Sequence, residues 1–152
     1  MVERGDDVLL VRNRRRNGSH DWSPPGGVID EGETVLDGLA REVAEETGLL
    51  VSSWEGPLYE IHVHAADLGW HLRVEAWLAT EYTGELALAD PDGIVVDACF
   101  VNRGLCRHHL AECSQWVREP LADWLGERWV GVRPYRYRID GADRDALVVT
   151  RH

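Results

Sequence analysis

Gly26-Gly27-Val28-Ile29-Asp30-Glu31-Gly32-Glu33-Thr34-Val35-Leu36-Asp37-Gly38-Leu39-Ala40-Arg41-Glu42-Val43-Ala44-Glu45-Glu46-Thr47-Gly48-Leu49 is the stretch from which the rest of the chain is read. Pro24-Pro25 just before it excludes a helix there, and the two glycines permit backbone shapes closed to other residues, so a tight turn is expected. From about Glu33, the residues Leu36, Leu39, Ala40, Val43 and Thr47 recur at the spacing of a helix that buries one stripe, and Gly48 is a natural left-handed stop. Each helical residue advances about 100°, so Glu42 and Glu46 lie about 40° apart and Glu45 about 60° to the other side. Like charges so placed repel by roughly a few tenths of a kcal/mol per pair. The arc is therefore either a solvated acidic face or the seat of a hard divalent cation. Mg²⁺ takes oxygen ligands and keeps waters and substrate phosphates in its shell, so a few carboxylates suffice.

The same residues resemble the Nudix box, Gly-x5-Glu-x7-Arg-Glu-U-x-Glu-Glu-x-Gly-U with U a bulky aliphatic: Gly27, Glu33, Arg41, Glu42, Val43, Glu45, Glu46, Gly48 and Leu49 fill it without departure. That resemblance implies an α/β chain with the Nudix-type α/β/α sandwich and a mixed β-sheet, the box helix on one face and the C-terminal helices on the other, as a single domain over residues 1–152. It implies a hydrolase that needs Mg²⁺, with Mn²⁺ as a substitute, and cuts the phosphoanhydride bond of nucleoside diphosphate-linked compounds. The metal ligands it implies are Glu42, Glu45, Glu46, the Gly26 carbonyl and, from outside the box, Asp97. Arg41 and Glu33 are expected to pair with each other and with the box carboxylates, holding loop and helix in register. Asp97 and then Glu45 are the expected general bases.

Substrate markers lie downstream of the box. Ala65, Ala66 and Asp67 stand where ADP-ribose enzymes carry a Pro and diadenosine polyphosphate enzymes a Tyr, and the Ser-Gln-Pro-Trp motif of NADH pyrophosphatases is missing. By elimination the chain resembles the MutT-like group, which acts on nucleoside triphosphates, oxidised ones included. An ADP-ribose or other nucleotide-sugar pyrophosphatase and a non-catalytic nucleotide sensor are the alternatives, although a sensor would be expected to have lost a box carboxylate.

Upstream, Val8-Leu9-Leu10-Val11 reads as a buried strand after the turn signal Gly5-Asp6-Asp7. Few residues precede it, so the chain is expected to be clipped at its start or to begin at a misplaced initiator. Arg14, Arg15 and Arg16 lead through Asn17-Gly18-Ser19 to Trp22 and the box, as a loop whose guanidiniums grip substrate phosphates or are merely solvated. Trp22 is expected beside the metal turn, packing there or stacking on a base.

Downstream, Tyr59 to His64 and His71 to Ala79 alternate like strands joined by a hairpin connection, with His62 and His64 as polar sheet residues. Asp90-Pro91-Asp92-Gly93 is a turn before the strand Ile94 to Val101, in which Asp97 is costly to bury unless it is paired or binds metal. Leu105 to Leu125 is helical, and Pro120 predicts a break with a second short helix over Leu121 to Leu125. Val132 to Ile139, the turn 140–143 and Ala146 to Thr150 predict a closing hairpin.

The 152 residues, 44% hydrophobic, suit one domain with a real core, and the net charge of −11 opposes binding to duplex nucleic acid. No apolar run or signal segment points to a membrane, so a cytoplasmic monomer or homodimer acting on a small nucleotide is expected. Cys99, Cys106 and Cys113 lack paired spacing and are expected as free thiols.

Overall fold

The computed structural model describes residues 1–143 and 146–152. In chain order its strands are β1 (Glu3–Arg4), β2 (Asp7–Arg14), β3 (His20–Ser23), β4 (Leu50–Ala65), β5 (Trp70–Thr83), β6 (Val95–Asn102), β7 (Arg133–Asp140) and β8 (Val148–Arg151). The helices are α1 (Val35–Thr47), α2 (Cys106–His109) and α3 (Gln115–Gly126), with a 3-10 turn at Ala66–Leu68. Two compact units result: Met1–Glu55 with Leu78–Cys113, and Gly56–Trp77 with Ser114–His152.

In the first unit β1, β2, β3 and β6 form an antiparallel sheet centred on β2. Val8, Leu9, Leu10 and Val11 are all buried, as a continuous apolar run requires when both faces of a strand are covered. Leu9 packs with Val43 and Leu49 of the box and with Val2 and Ala79, and Leu39, Ala98 and Phe100 close the cluster. Helix α1 therefore lies on the β2 face that carries Leu9, beside Ala98 and Phe100 of β6. The Thr34 hydroxyl caps its start by accepting from the Asp37 N–H at 3.2 Å, and Gly48 ends it at φ 76°.

The arginine-rich segment is not a free loop. β3 pairs with β2 from Ser23 opposite Val11 to His20 opposite Arg14, so Arg14 belongs to a strand and Arg15 to Ser19 form a tight hairpin, Arg15 N–H donating to Ser19 O at 2.8 Å. A hairpin this short shows no alternation of apolar residues, which is why the sequence reads as loop.

In the second unit β4 and β7 run parallel, Ile61 beside Tyr135 and Val63 beside Tyr137, and β8 pairs antiparallel to β7, so the sheet β5-β4-β7-β8 is mixed. Tyr135, Tyr137 and Ile139 are buried while Arg136 and Arg138 between them are exposed. The break expected at Pro120 is absent: α3 runs through it, and the chain breaks instead over residues 110–114. Pro120 removes one helical hydrogen bond, and the flanking carboxylates hold both halves to β7: Tyr137 donates to Glu119 at 2.9 Å and Tyr135 to Asp123 at 2.9 Å. Among the described residues no helix is long and apolar enough to cross a membrane, a statement that does not bear on β-barrels.

Candidate active site

The turn between β3 and α1 brings backbone against carboxylate. Gly26 sits at φ 145°, and its N–H donates to Glu46 Oε2 at 2.9 Å. At Gly27 a Cβ would collide with the carboxylate of Glu42, so a larger residue there would push that side chain aside. Gly38 plays a similar part on the helix, where a Cβ would strike Ile29 and the Glu33 carboxylate. It leaves room for residues 29–33 to fold back over α1.

Arg41 ties this loop to the helix. Its Nε and Nη2 donate to the two oxygens of Glu33 at 2.8 and 2.9 Å, while Nη1 donates to Glu42 at 2.9 Å and Glu45 at 3.2 Å. A further bond from Nη2 reaches the Val28 carbonyl at 3.2 Å. The Arg41 hydrogen bonds, helped by the Asp30 N–H, pull the Glu33 carboxyl down to about 2, and Glu33 and Glu42 in turn hold the guanidinium firmly charged.

Glu46 behaves in the opposite way. It is 9% exposed, and burial pushes its carboxyl up to about 7 against the pull of the Gly26 N–H, with the charges of Glu42, Asp90 and Glu45 adding to the rise. Asp90 escaped the sequence reading, being taken only as part of a turn. One of its oxygens accepts from the Ile94 and Val95 N–H groups at 2.7 and 2.8 Å, which folds the turn so that its charge reaches Glu46.

Asp97 is not the buried carboxylate its apolar neighbours suggest. It is exposed and accepts from the Ala98 N–H at 2.8 Å. It stands opposite Arg12 of β2, whereas Ala98 and Phe100 stand opposite Val11 and Leu9 on the face against α1, so strand alternation turns Asp97 to the other face. Exposure at the sheet end removes the desolvation cost on which the expectation rested. Arg14 donates to the Gly93 carbonyl at 3.2 Å, Arg15 grips Asp21 with two bonds of 2.6 and 2.7 Å, and Arg16 is exposed. Trp22 lies opposite Arg12 in β3 and meets His109 edge to face, ring centres 5.3 Å apart.

The family model of the NUDIX domain matches residues 1–124. The chain belongs to the Nudix family. Among curated Nudix relatives, a MutT-like protein of Streptomyces ambofaciens is 49% identical over 51 residues, 34% of this chain and 32% of that protein. The oxidized purine nucleoside triphosphate hydrolase of Mus musculus is 35% identical over 72 residues, 40% of this chain and 46% of that protein. The chain thus spans less than half the length of these two relatives. A MutT crystal structure from Bacillus halodurans superposes with a TM-score of 0.67 at 20% identity, covering 99% of this chain and 93% of that one. The fold is accordingly the Nudix α/β/α sandwich, with mixed sheet pairing.

A Nudix box implies a divalent cation, and the donor set fits one. Glu42, Glu45, Glu46 and the Gly26 carbonyl offer only hard oxygens, and the raised carboxyl of Glu46 marks a site where negative charge lacks compensation. Among the described residues no three His, Cys, Asp or Glu side chains already converge on a common point. Arg41 takes one oxygen of Glu42 and one of Glu45, and the Gly26 N–H takes one oxygen of Glu46, which holds the three carboxylates apart in this arrangement.

Proposed function

We propose that the chain is a Mg²⁺-dependent Nudix hydrolase of the MutT-like type, cutting a phosphoanhydride bond of nucleoside triphosphates, oxidised ones included. The observation that carries this reading is the Glu42, Glu45 and Glu46 arc locked to the glycine turn by Gly26 and Arg41. The mouse relative's action on oxidized purine nucleoside triphosphates supports the substrate class.

Glu42, Glu45, Glu46 and the Gly26 carbonyl would hold the cation, which when bound neutralises charge on the phosphate oxygens and lowers the pKa of a bound water. The protein's own residues do the rest. Arg41 keeps Glu42 and Glu45 aimed, and Glu33 keeps Arg41 in place. Burial of Glu46 makes its charge costly until a cation is present, so substrate phosphate and metal are drawn in together. Glu45, the least enclosed of the three, takes the proton of the attacking water, since Asp97 points to the opposite face. Arg16 at the hairpin tip, with Arg14 and Arg15 released from Gly93 and Asp21, holds substrate phosphate. Release of pyrophosphate from a panel of nucleoside triphosphates, with and without Mg²⁺, tests the reading. Activity that is equal in a chelator would overturn it.

A further inference from the structure

Strand β6 has a partner on one side only: among the described residues it pairs with β2 and with no other strand. In an antiparallel pair the backbone groups of alternate residues point at the partner and those of the residues between point away. The Ala98 N–H is held by Asp97 Oδ1 at 2.8 Å and not by β2, so Ala98 and, two positions on, Phe100 turn their N–H and C=O groups to the open edge. The regular part of that edge is short. At one end the pairing jumps from Arg12–Asp97 to Asn13–Val95, which leaves Val96 as the extra residue of a bulge. At the other the Asn102 carbonyl accepts from the Leu105 N–H at 2.8 Å, where the chain turns away. Between them Asp97-Ala98-Cys99-Phe100-Val101 is symmetric about Cys99, with an acid at one end and apolar residues elsewhere.

An edge of this kind is a template for a second strand, and the strand that fits it best is its own copy run antiparallel, with Cys99 opposite Cys99. Each Ala98 would then exchange two backbone bonds with a Phe100. We infer that Asp97 guards this edge against pairing with β6 of a second copy. Its carboxylate occupies the Ala98 N–H, one of the two outward donors that the pairing needs. It would also come to lie opposite the apolar Val101 of the second copy and lose part of its hydration there. The bulge at Val96 adds to the guard by twisting the edge beside Asp97. This role explains an exposed acid in an otherwise apolar strand, and it stands whether or not the chain is a hydrolase.

Light scattering on the full chain under reducing conditions compares the parent with Asp97→Thr, which removes the acid and the acceptor without adding an apolar patch. The variant is expected at twice the mass of the parent. Directly opposed residues of the type expected for Cys99 have Cα atoms about 4.5 Å apart, within reach of a disulfide. Addition of diamide, an oxidant that takes up the two thiol hydrogens, should therefore join two chains through Cys99 in Asp97→Thr but not in the parent, and not in Asp97→Thr with Cys99→Ser. Amide exchange supplies a test on the unaltered protein: the Phe100 N–H should exchange faster than those of Cys99 and Val101, which face β2. Equal masses for parent and Asp97→Thr, a crosslink that survives Cys99→Ser, or slow exchange at Phe100 in the parent would each overturn the inference.

Discussion

Arg41 and Glu33, eight positions apart, face each other through two parallel hydrogen bonds of 2.8 and 2.9 Å. The planar fork of arginine matches a carboxylate in a way the ammonium of lysine does not. Arg41→Lys should therefore keep the charge and lose the geometry. An activity loss of about 10- to 100-fold is expected, the scale for residues that orient metal ligands. Steady-state kinetics across a Mg²⁺ titration checks this, and an unchanged kcat together with unchanged metal dependence would remove Arg41 from the site.

The same pair sets an acid limit. Glu33 is held near 2 in the folded chain against an ordinary 4.5, so its contribution is present above about 4.5 and is lost as pH falls through about 2. Glu33→Gln should lower Tm at neutral pH, and its gap from the parent should close on acidification through that window. A gap that stays constant down to pH 2 would contradict the pairing.

Gly27→Ala isolates a steric effect. The added Cβ meets the end of a flexible side chain and not backbone, so Glu42 can swing aside at little cost in stability. Tm should change by no more than about 2 °C, while activity falls at least about tenfold because a metal ligand has moved. Full activity would mean that Glu42 is free to bind from elsewhere.

How far the sequence was legible follows from the kind of signal each residue carries. The α1 helix and its cap were readable because local propensity and the burial stripe agree, with Val43 in the core and Gly48 left-handed. Asp90 was read only as part of a turn, and Asp97 as a carboxylate in an apolar strand, whereas Asp97 is exposed and the charge of Asp90 acts on Glu46. Strand neighbours suggested that Asp97 is buried, but which face a strand residue takes depends on pairing, and Arg12 opposite Asp97 settles that only in three dimensions. Asp90 reaches Glu46 through a turn whose hydrogen bonds leave no periodic trace. The short β3 and the continuous α3 were missed because long-range partners, β2 for one and Tyr135 and Tyr137 for the other, override local preference.

Glu46→Gln should abolish most activity and yet stabilise the metal-free protein. Its folded carboxyl is raised to about 7 from 4.5, so its contribution is fully present below about 4.5 and is lost as pH rises through 7. At pH 8 in a chelator the variant should be more stable than the parent by on the order of 1–3 kcal/mol, with the two converging near pH 4. Gln can still accept the Gly26 N–H, so the turn survives. Urea unfolding at both pH values measures the difference. Mg²⁺ should narrow it at pH 8 by stabilising the parent alone, and a variant less stable at pH 8 would show that Glu46 is already compensated.

The final contrast separates the two proposed bases. Asp97 is exposed on the face away from α1, so Asp97→Asn should leave kcat within about threefold, while Glu45→Gln should lower it by about 10²-fold or more, the scale of a lost general base. Loss of a metal ligand alone would also slow Glu45→Gln, so the pH profile decides. If Glu45 takes the proton, the acidic limb of kcat against pH should disappear in that variant and persist in Asp97→Asn. A missing acidic limb in Asp97→Asn, with kcat down by the larger factor, would move the base to β6 and require the strand to present Asp97 toward the box in the substrate complex.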